Sequence, residues 1–393
     1  MKKRKLLVYL VVSLVAGLFL IAPVSVQSSE MTNPKIPDMI GITTLRIGSS
    51  GHASATALGE VLKEQTGAKI RVIPIGAEKP RANLLRSGTA QIAIFPGNAM
   101  YNLQLGLEDY ATYEWGVQPL QMAWLGPAYL GMITTKSHKD INTVADIRGK
   151  RVAVLPHKST VILAQSFLAF AGLTWEDVVK VTVPGYTAQF KALMAGQVDV
   201  APITNPVTSI LYELEASPRG LKWLPFAHKN TEGWKRLLQI APWGVPGKVT
   251  IGPGLSKEKP LEAYMHAYAF VVYDRTNPDL VYQITKTIGE NLERLHNMTG
   301  AWKVYTIDLA LGIEGFPHIY HPGAIKYFKE KGLWTPKHEK WNQRQLELQG
   351  KLKDAWGATL DKALADKWKP AMLKKQWHER QRAITGYEVP AVK

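Results

Sequence analysis

Two stretches far apart in the chain, LLRSGTAQIAIFPGNA (Leu84–Ala99) and ALMAGQVDVAPITNP (Ala192–Pro206), follow one plan. Each closes a helix with a glycine stop, runs through an apolar strand, and turns at Pro and Asn into a further helix. A strand apolar on both faces must be covered by helices on both sides, which is the parallel βαβ arrangement. Meeting that unit twice predicts two similar α/β lobes and excludes a β-sandwich or a helix bundle.

The rest of the chain fits this frame. In the first lobe we expect strands at Leu45–Gly48, Ile70–Pro74 and Gln91–Phe95, with helices at Ala53–Thr66 and Arg81–Arg86 and from Asn98. The second lobe repeats the alternation. Its strands are Arg151–Leu155, Lys180–Val183 and Val198–Ile203; its helices are Thr160–Ala171, stopped by Gly172, and Ala188–Ala195, stopped by Gly196. Thr174 and Asp177 have the spacing of a capping box. WLGPAYLGMITT (Trp124–Thr135) and VTIGPG (Val249–Gly254) are apolar and broken by Gly and Pro, as strands crossing between lobes would be. Tyr264–Tyr273 is a further strand and Pro278–Leu295 a helix. The expected domains are a discontinuous lobe at 43–130 plus 250–333, a second lobe at 131–249, and a helical extension at 334–393. In that extension Trp341, Gln345, Leu348, Leu352, Trp356, Leu360, Leu364 and Trp368 recur at three- or four-residue steps. One long helix with an apolar stripe, packed across the lobes, is the expectation.

A length of 393 residues agrees with about two domains. The chain has no cysteine, so a disulfide framework, a thiol nucleophile, Cys-ligated zinc and a lipidated cysteine are all excluded. Lys2, Lys3, Arg4 and Lys5 precede the apolar run Leu6–Ile21 and then APVSVQSSE, the layout of a signal peptide at 1–28 with cleavage after Ser28. An uncleaved anchor is the alternative. Loss of residues 1–28 lowers the net charge from +16 to +12. The remaining Lys and Arg are dispersed except in the C-terminal tail, and no nucleic-acid motif accompanies them. Attraction to anionic solutes or a membrane surface suits that balance better.

Chemical motifs are sparse. GSSGHASA (Gly48–Ala55) fits neither G-x-G-x-x-G nor the P-loop, and its spacing is not that of a nucleophile elbow. It still offers free N–H groups and a positive dipole end at a helix start, which suit an anionic or polar ligand. His318-x-x-His321 lacks further ligands for a metal, and His321-Pro322-Gly323 reads as a helix start. Asn297-Met298-Thr299 matches a glycosylation sequon. Asp199 and Glu78 have no evident acid–base partner. We therefore expect no enzyme activity, no cofactor and no metal. Five loops, 49–53, 76–81, 95–98, 156–160 and 203–207, follow strand C-termini, where open α/β sheets hold ligands. Two lobes facing each other close on a solute.

At these loops the sequence resembles the TAXI-type solute receptors of TRAP transporters, from about Leu45 to Leu333. The matching segments are LRIGSSGHASATALGEVL, LLRSGTAQIAIFPGNAMYN, DIRGKRVAVLPHKST, QFKALMAGQVDVAPI and YHPGAIKYFKEKGLW. The resemblance implies a two-lobe periplasmic binding protein (Venus-flytrap) fold with hinge strands. It also implies a periplasmic receptor that delivers a small solute, a carboxylate or an amino acid, to an ion-driven membrane permease. Asn98 and Tyr101 stand at the family's Asp and Tyr positions, and Thr160 is kept. The chain departs from the pattern at His157, Lys158 and Ser159, at Gly76-Ala77-Glu78, at Arg81, and at Pro96-Gly97. The expected ligand-binding set is Ser49, Ser50, His52, Arg81, Asn98, Tyr101, His157, Lys158, Ser159, Thr160, Tyr186 and Asn205. Within it, Lys158 and Arg81, with His52 or His157, would make a positive cleft for a carboxylate; Phe95 and Trp243 join Tyr101 and Tyr186 as candidates for its apolar part. The opposing reading has Lys158 and Arg81 facing solvent or paired with Glu78. Alternatives to the whole are a receptor for an ATP-driven importer, an exported hydrolase or transferase, and an interaction protein using the Trp/Lys-rich tail.

Overall fold

The computed structural model describes residues 36–156, 158–312 and 318–386. The expected signal peptide lies outside the described residues. Ile40 and Ile42 are fully buried in β1 (Met39–Thr44), which leads into α1 (Ser50–Thr66). Then follow β2 (Lys69–Pro74), α2 (Glu78–Arg86), β3 (Ile92–Pro96) and α3 (Gly97–Leu105). The long β4 (Leu120–Thr134) leads to β5 (Arg151–Val154), α4 (Lys158–Phe170), β6 (Val179–Thr182), α5 (Tyr186–Met194) and β7 (Ala201–Thr204). Next are α6 (Ile210–Ala216), β8 (Lys222–Leu224), α7 (Thr231–Ile240), β9 (Gly244–Val249) and β10 (Leu261–Tyr273). The last described elements are helices: α8 (Pro278–Glu290), α9 (Leu292–Met298), α10 (Ile307–Ala310), α11 (Pro322–Glu330), α12 (Pro336–Ala365) and α13 (Pro370–Thr385).

The fold is mixed α/β around a central sheet. Its path is β2-β1-β3-β10-β4-β7, with β9 added on β10 and β8 on β4. β1, β2 and β3 are parallel, whereas β10 runs antiparallel to β3, β4 and β9. β5 and β6 form a separate parallel pair, bridged to the β7 segment at Val152–Val200.

Two hydrophobic clusters give the molecule its lobes. One packs Ile42, Leu58, Phe95, Trp124, Phe270 and Trp302; the other packs Ile133, Leu163, Phe167, Phe190, Phe226 and Leu237. β4 serves both, with Met122 and Trp124 in the first and Met132 and Ile133 in the second. β10 does likewise through Phe270 and Tyr264. The two strands pair from Tyr264–Leu130 to Tyr273–Leu120, so one antiparallel ribbon threads both cores.

Several sequence expectations need correction. The first strand lies ahead of Leu45–Gly48, because the buried alternation belongs to Met39–Thr44; LRIG is a loop, with Gly48 at φ 83°. The return crossing is not Val249–Gly254. Val249 ends β9, the following residues form a loop with Gly252 at φ 136°, and β10 makes the crossing. Pro278–Leu295 is broken at Asn291, which caps α8 and opens α9. The tail is a hairpin of two helices. Along its stripe Leu352 and Trp356 are buried, but Leu364 is 60% exposed and Trp368 lies beyond the helix end.

The hairpin is anchored on both clusters. At its start the Asn342 Oδ1 accepts from the Tyr320 N–H at 2.7 Å. Further along, Trp356 and Trp377 meet edge-to-face at 5.0 Å and join the second core. Gly116 permits this: at φ 73°, a Cβ there would lie 2.0 Å from the Trp356 indole nitrogen.

Candidate functional site

A cavity of about 150 Å³ opens where the strand ends meet. All five strand-end loops reach it: Ser49 and Ser50 open α1, Glu78 and Arg81 sit on α2, Asn98 on α3, Ser159 and Thr160 on α4, and Asn205 follows β7. Tyr186 adds the start of α5. Helix N-termini bring unpaired N–H groups and positive dipole ends, so their convergence favours negative charge. Leu45, Leu130, Leu155, Leu163 and Ile203 supply an apolar wall.

Arg81 is the main charged feature. It is 1% exposed, its Nη1 donates to the Ile75 carbonyl at 2.8 Å, and its guanidinium lies 4.8 Å from the Phe95 ring centre. Its Nε has no hydrogen-bond partner. Burial lowers its pKa from the usual 12.5, against the field of Glu78, but a guanidinium keeps its proton at physiological pH. The reading that placed Arg81 in solvent is therefore excluded.

Three further lining residues were not legible in the sequence. Arg46 reaches over the Tyr186 ring at 5.3 Å, linking the loop after β1 to the second lobe. Tyr268 and His266 project from β10. Burial pushes Tyr268 up to about 12, although Arg81 pulls the other way. Burial likewise drops His266 to about 3, so its ring is neutral, and its Nδ1 has no hydrogen-bond partner. Two guanidiniums thus face the cavity against one lining carboxylate, Glu78. The strand expected at Tyr264–Tyr273 included both residues, but nothing local showed that this face opens on a cavity.

Hydrogen bonds hold the polar rim in place. Ser49 caps α1: its Oγ accepts from the His52 N–H at 3.2 Å and donates to the Arg46 carbonyl at 2.7 Å. The Tyr186 hydroxyl accepts from the Asn205 N–H at 3.0 Å and lies 3.0 Å from the Thr208 hydroxyl. Gly51 is required by a close approach, since a Cβ there would lie 2.4 Å from the Tyr268 hydroxyl.

Three described members of the expected set, His52, Tyr101 and Lys158, are not part of this wall. His52 does not line the cavity and contributes its backbone to the α1 cap. Tyr101 is buried, 5.1 Å from Trp243, so both aromatics belong to the core. Phe95 also lies in the core, beneath Arg81. Lys158 pairs with Glu108 and lines an adjoining chamber of about 340 Å³ that shares Glu78 and Ser159 with the first. Its ammonium is already matched, which removes it from the cationic cleft. His157 lies outside the described residues.

The remaining sequence candidates are structural. Asp199 forms a forked ion pair with Arg151, and its carboxylate also accepts the Arg151 N–H. His321 caps α11 by accepting the Gly323 N–H at 3.1 Å. Among the described residues no group of three His, Asp or Glu is placed to hold a metal. No helix among them is long and apolar enough to cross a membrane.

The fold and its cavity define a two-lobe α/β protein with an anion-favouring cleft between strand ends. The chain belongs to the NMT1-like family, whose model matches residues 49–332. Among solved structures it is similar to an amino acid ABC transporter substrate-binding protein from Streptococcus pneumoniae bound to L-arginine. There the identity is 14%, with 68% of this chain and 97% of that chain covered and a TM-score of 0.40. It is also similar to the aliphatic sulphonate binding protein of Escherichia coli, at 12% identity, with 87% and 92% covered and a TM-score of 0.40. A third likeness is the alkanesulfonate-binding protein of Xanthomonas axonopodis pv. citri bound to MOPS, at 17% identity, with 79% and 84% covered and a TM-score of 0.39. Scores this low carry no argument about the ligand of this chain.

Proposed function

We propose that this protein is an extracytoplasmic solute receptor of a TRAP-type secondary transporter. It captures a small carboxylate-bearing solute in the cavity between its lobes and hands it to a membrane permease. One observation carries the ligand reading: Arg81 is almost wholly buried in the cavity wall with an unmatched Nε. With two guanidiniums, Arg46 and Arg81, set against the single lining carboxylate of Glu78, a buried donor of that kind calls for a further anionic partner. A carboxylate there would gain charge-assisted hydrogen bonds worth about 1.5–3 kcal/mol each. Ser49, Ser50, Asn98, Ser159, Thr160 and Asn205 would meet its other polar groups, while the leucine wall takes an apolar body. The segment matches quoted above support the transporter class, and the basic leader supports export.

Two experiments test the two halves. Titration calorimetry of small carboxylates against their amides tests the ligand; equal binding of acid and amide would contradict it. Uptake of the bound solute in cells tests the transporter. Loss on collapsing the sodium gradient with ATP maintained supports the TRAP reading, whereas loss only on ATP depletion supports an ATP-driven importer.

A further inference from the structure

Lys158 stands immediately before Ser159 and Thr160 in the cavity wall, yet its charge points elsewhere. The Glu108 carboxylate accepts from the ammonium groups of both Lys158 and Lys374, the latter at 2.9 Å. These residues come from three distant segments: the turn after α3, the first turn of α4, and the C-terminal α13. Glu108 is 9% exposed and adopts φ 52°, left-handed backbone that a non-glycine side chain rarely takes. Such a conformation persists where its surroundings fix it. Burial raises the carboxyl, but the two lysines outweigh it and hold Glu108 below the usual carboxylate range.

The segment carrying Glu108 is fixed to the C-terminal hairpin. The Trp377 indole N–H donates to the Leu105 carbonyl at 2.9 Å, and the Tyr113 hydroxyl donates to the Trp368 carbonyl at 2.6 Å. Turn and hairpin are therefore tied at two points, and the Lys158–Glu108 pair connects them to the helix whose start lines the cavity. We propose that Glu108 is a positioning residue: held by Lys374 of α13, it grips Lys158 and sets where Ser159 and Thr160 stand in the cavity wall. This gives the C-terminal extension a role in the site without contact with the solute. It rests on the reading of that cavity as a solute site.

Hydrogen exchange of the full chain, with no solute added, tests the positioning. Lys374→Met removes one hydrogen bond and leaves α13 its apolar face. Exchange in the peptide covering α4 should quicken about tenfold, as loss of one charge-assisted hydrogen bond allows, while α7 in the same hydrophobic cluster stays unchanged. Lys374→Arg should restore slow exchange, and Glu108→Gln should reproduce the loss. Unchanged exchange in α4, or an equal rise in α4 and α7, overturns the proposal. If α4 alone responds but none of a panel of small carboxylates binds the wild type, the positioning stands and the solute reading falls.

Discussion

At the residue scale the account turns on Arg81 and the close contacts around it. The sequence marked Arg81 as a departure from its family pattern, and a departure at a strand-end loop is where ligand chemistry varies. Its burial was not legible, because that depends on β3 and β10 closing over it from far along the chain. Arg81→Met should lower affinity for the carboxylate roughly 10- to 100-fold, the loss of one charged hydrogen bond, with the melting temperature of the solute-free protein nearly unchanged; calorimetry and a thermal melt read the two. Gly51→Ala would push a methyl against the Tyr268 hydroxyl, 2.4 Å away. We expect about 1–3 kcal/mol lost in urea unfolding, together with weaker solute binding; Gly51→Ala at wild-type stability would mean that Tyr268 shifts freely. Arg46 escaped notice because LRIG has the composition of a strand, and only the structure shows that it is the loop above the cavity.

At the element scale the C-terminal hairpin shows how far pattern reading extends. The stripe of Leu and Trp at helical spacing identified α12 and its burial against the lobes. That same stripe, continuing to Trp368, concealed the break, although Lys369-Pro370 carries a helix-start signal with Pro at the first position of α13. Trp377 from this second helix is fully buried against Trp356 and bonds to Leu105. Trp377→Ala should cost about 3–5 kcal/mol in denaturant unfolding; a loss below 1 kcal/mol would show the hairpin to be loosely seated. The reading of β10 succeeded for a related reason, since a long apolar run bounded by turn residues is unambiguous. The crossing at Val249–Gly254 was misplaced because its glycines describe a loop as readily as a bent strand.

For the whole molecule, the repeated helix–glycine–strand unit foretold mixed α/β structure, while the antiparallel ribbon of β4 and β10 that threads both cores required long-range pairing invisible to local pattern. Stability should depend on pH through the buried imidazoles of His266 and His318 and the half-buried one of His378. Burial lowers His266 to about 3, and His318 and His378 to about 4. Unfolded, each has a pKa near 6.5, so below that pH the unfolded chain binds protons the folded chain refuses, and stability falls. The contribution of Glu108 is present above the ordinary carboxylate value and is lost only as pH falls through its depressed one, so the histidines act first. Urea midpoints should decline from pH 6.5 towards 4, and His378→Gln should flatten that slope; a level profile would refute the depressed pKa values of these rings. The most direct test of the central claim is a thermal-shift screen of small carboxylates, amino acids and the matching amides on wild type and Arg81→Met. A solute at about 100 times its Kd stabilises the folded state by about 2.7 kcal/mol. The account predicts that at least one carboxylate raises the melting temperature of the wild type, that its amide does not, and that Arg81→Met loses the response; a panel in which nothing shifts, or acid and amide shift alike, would contradict it.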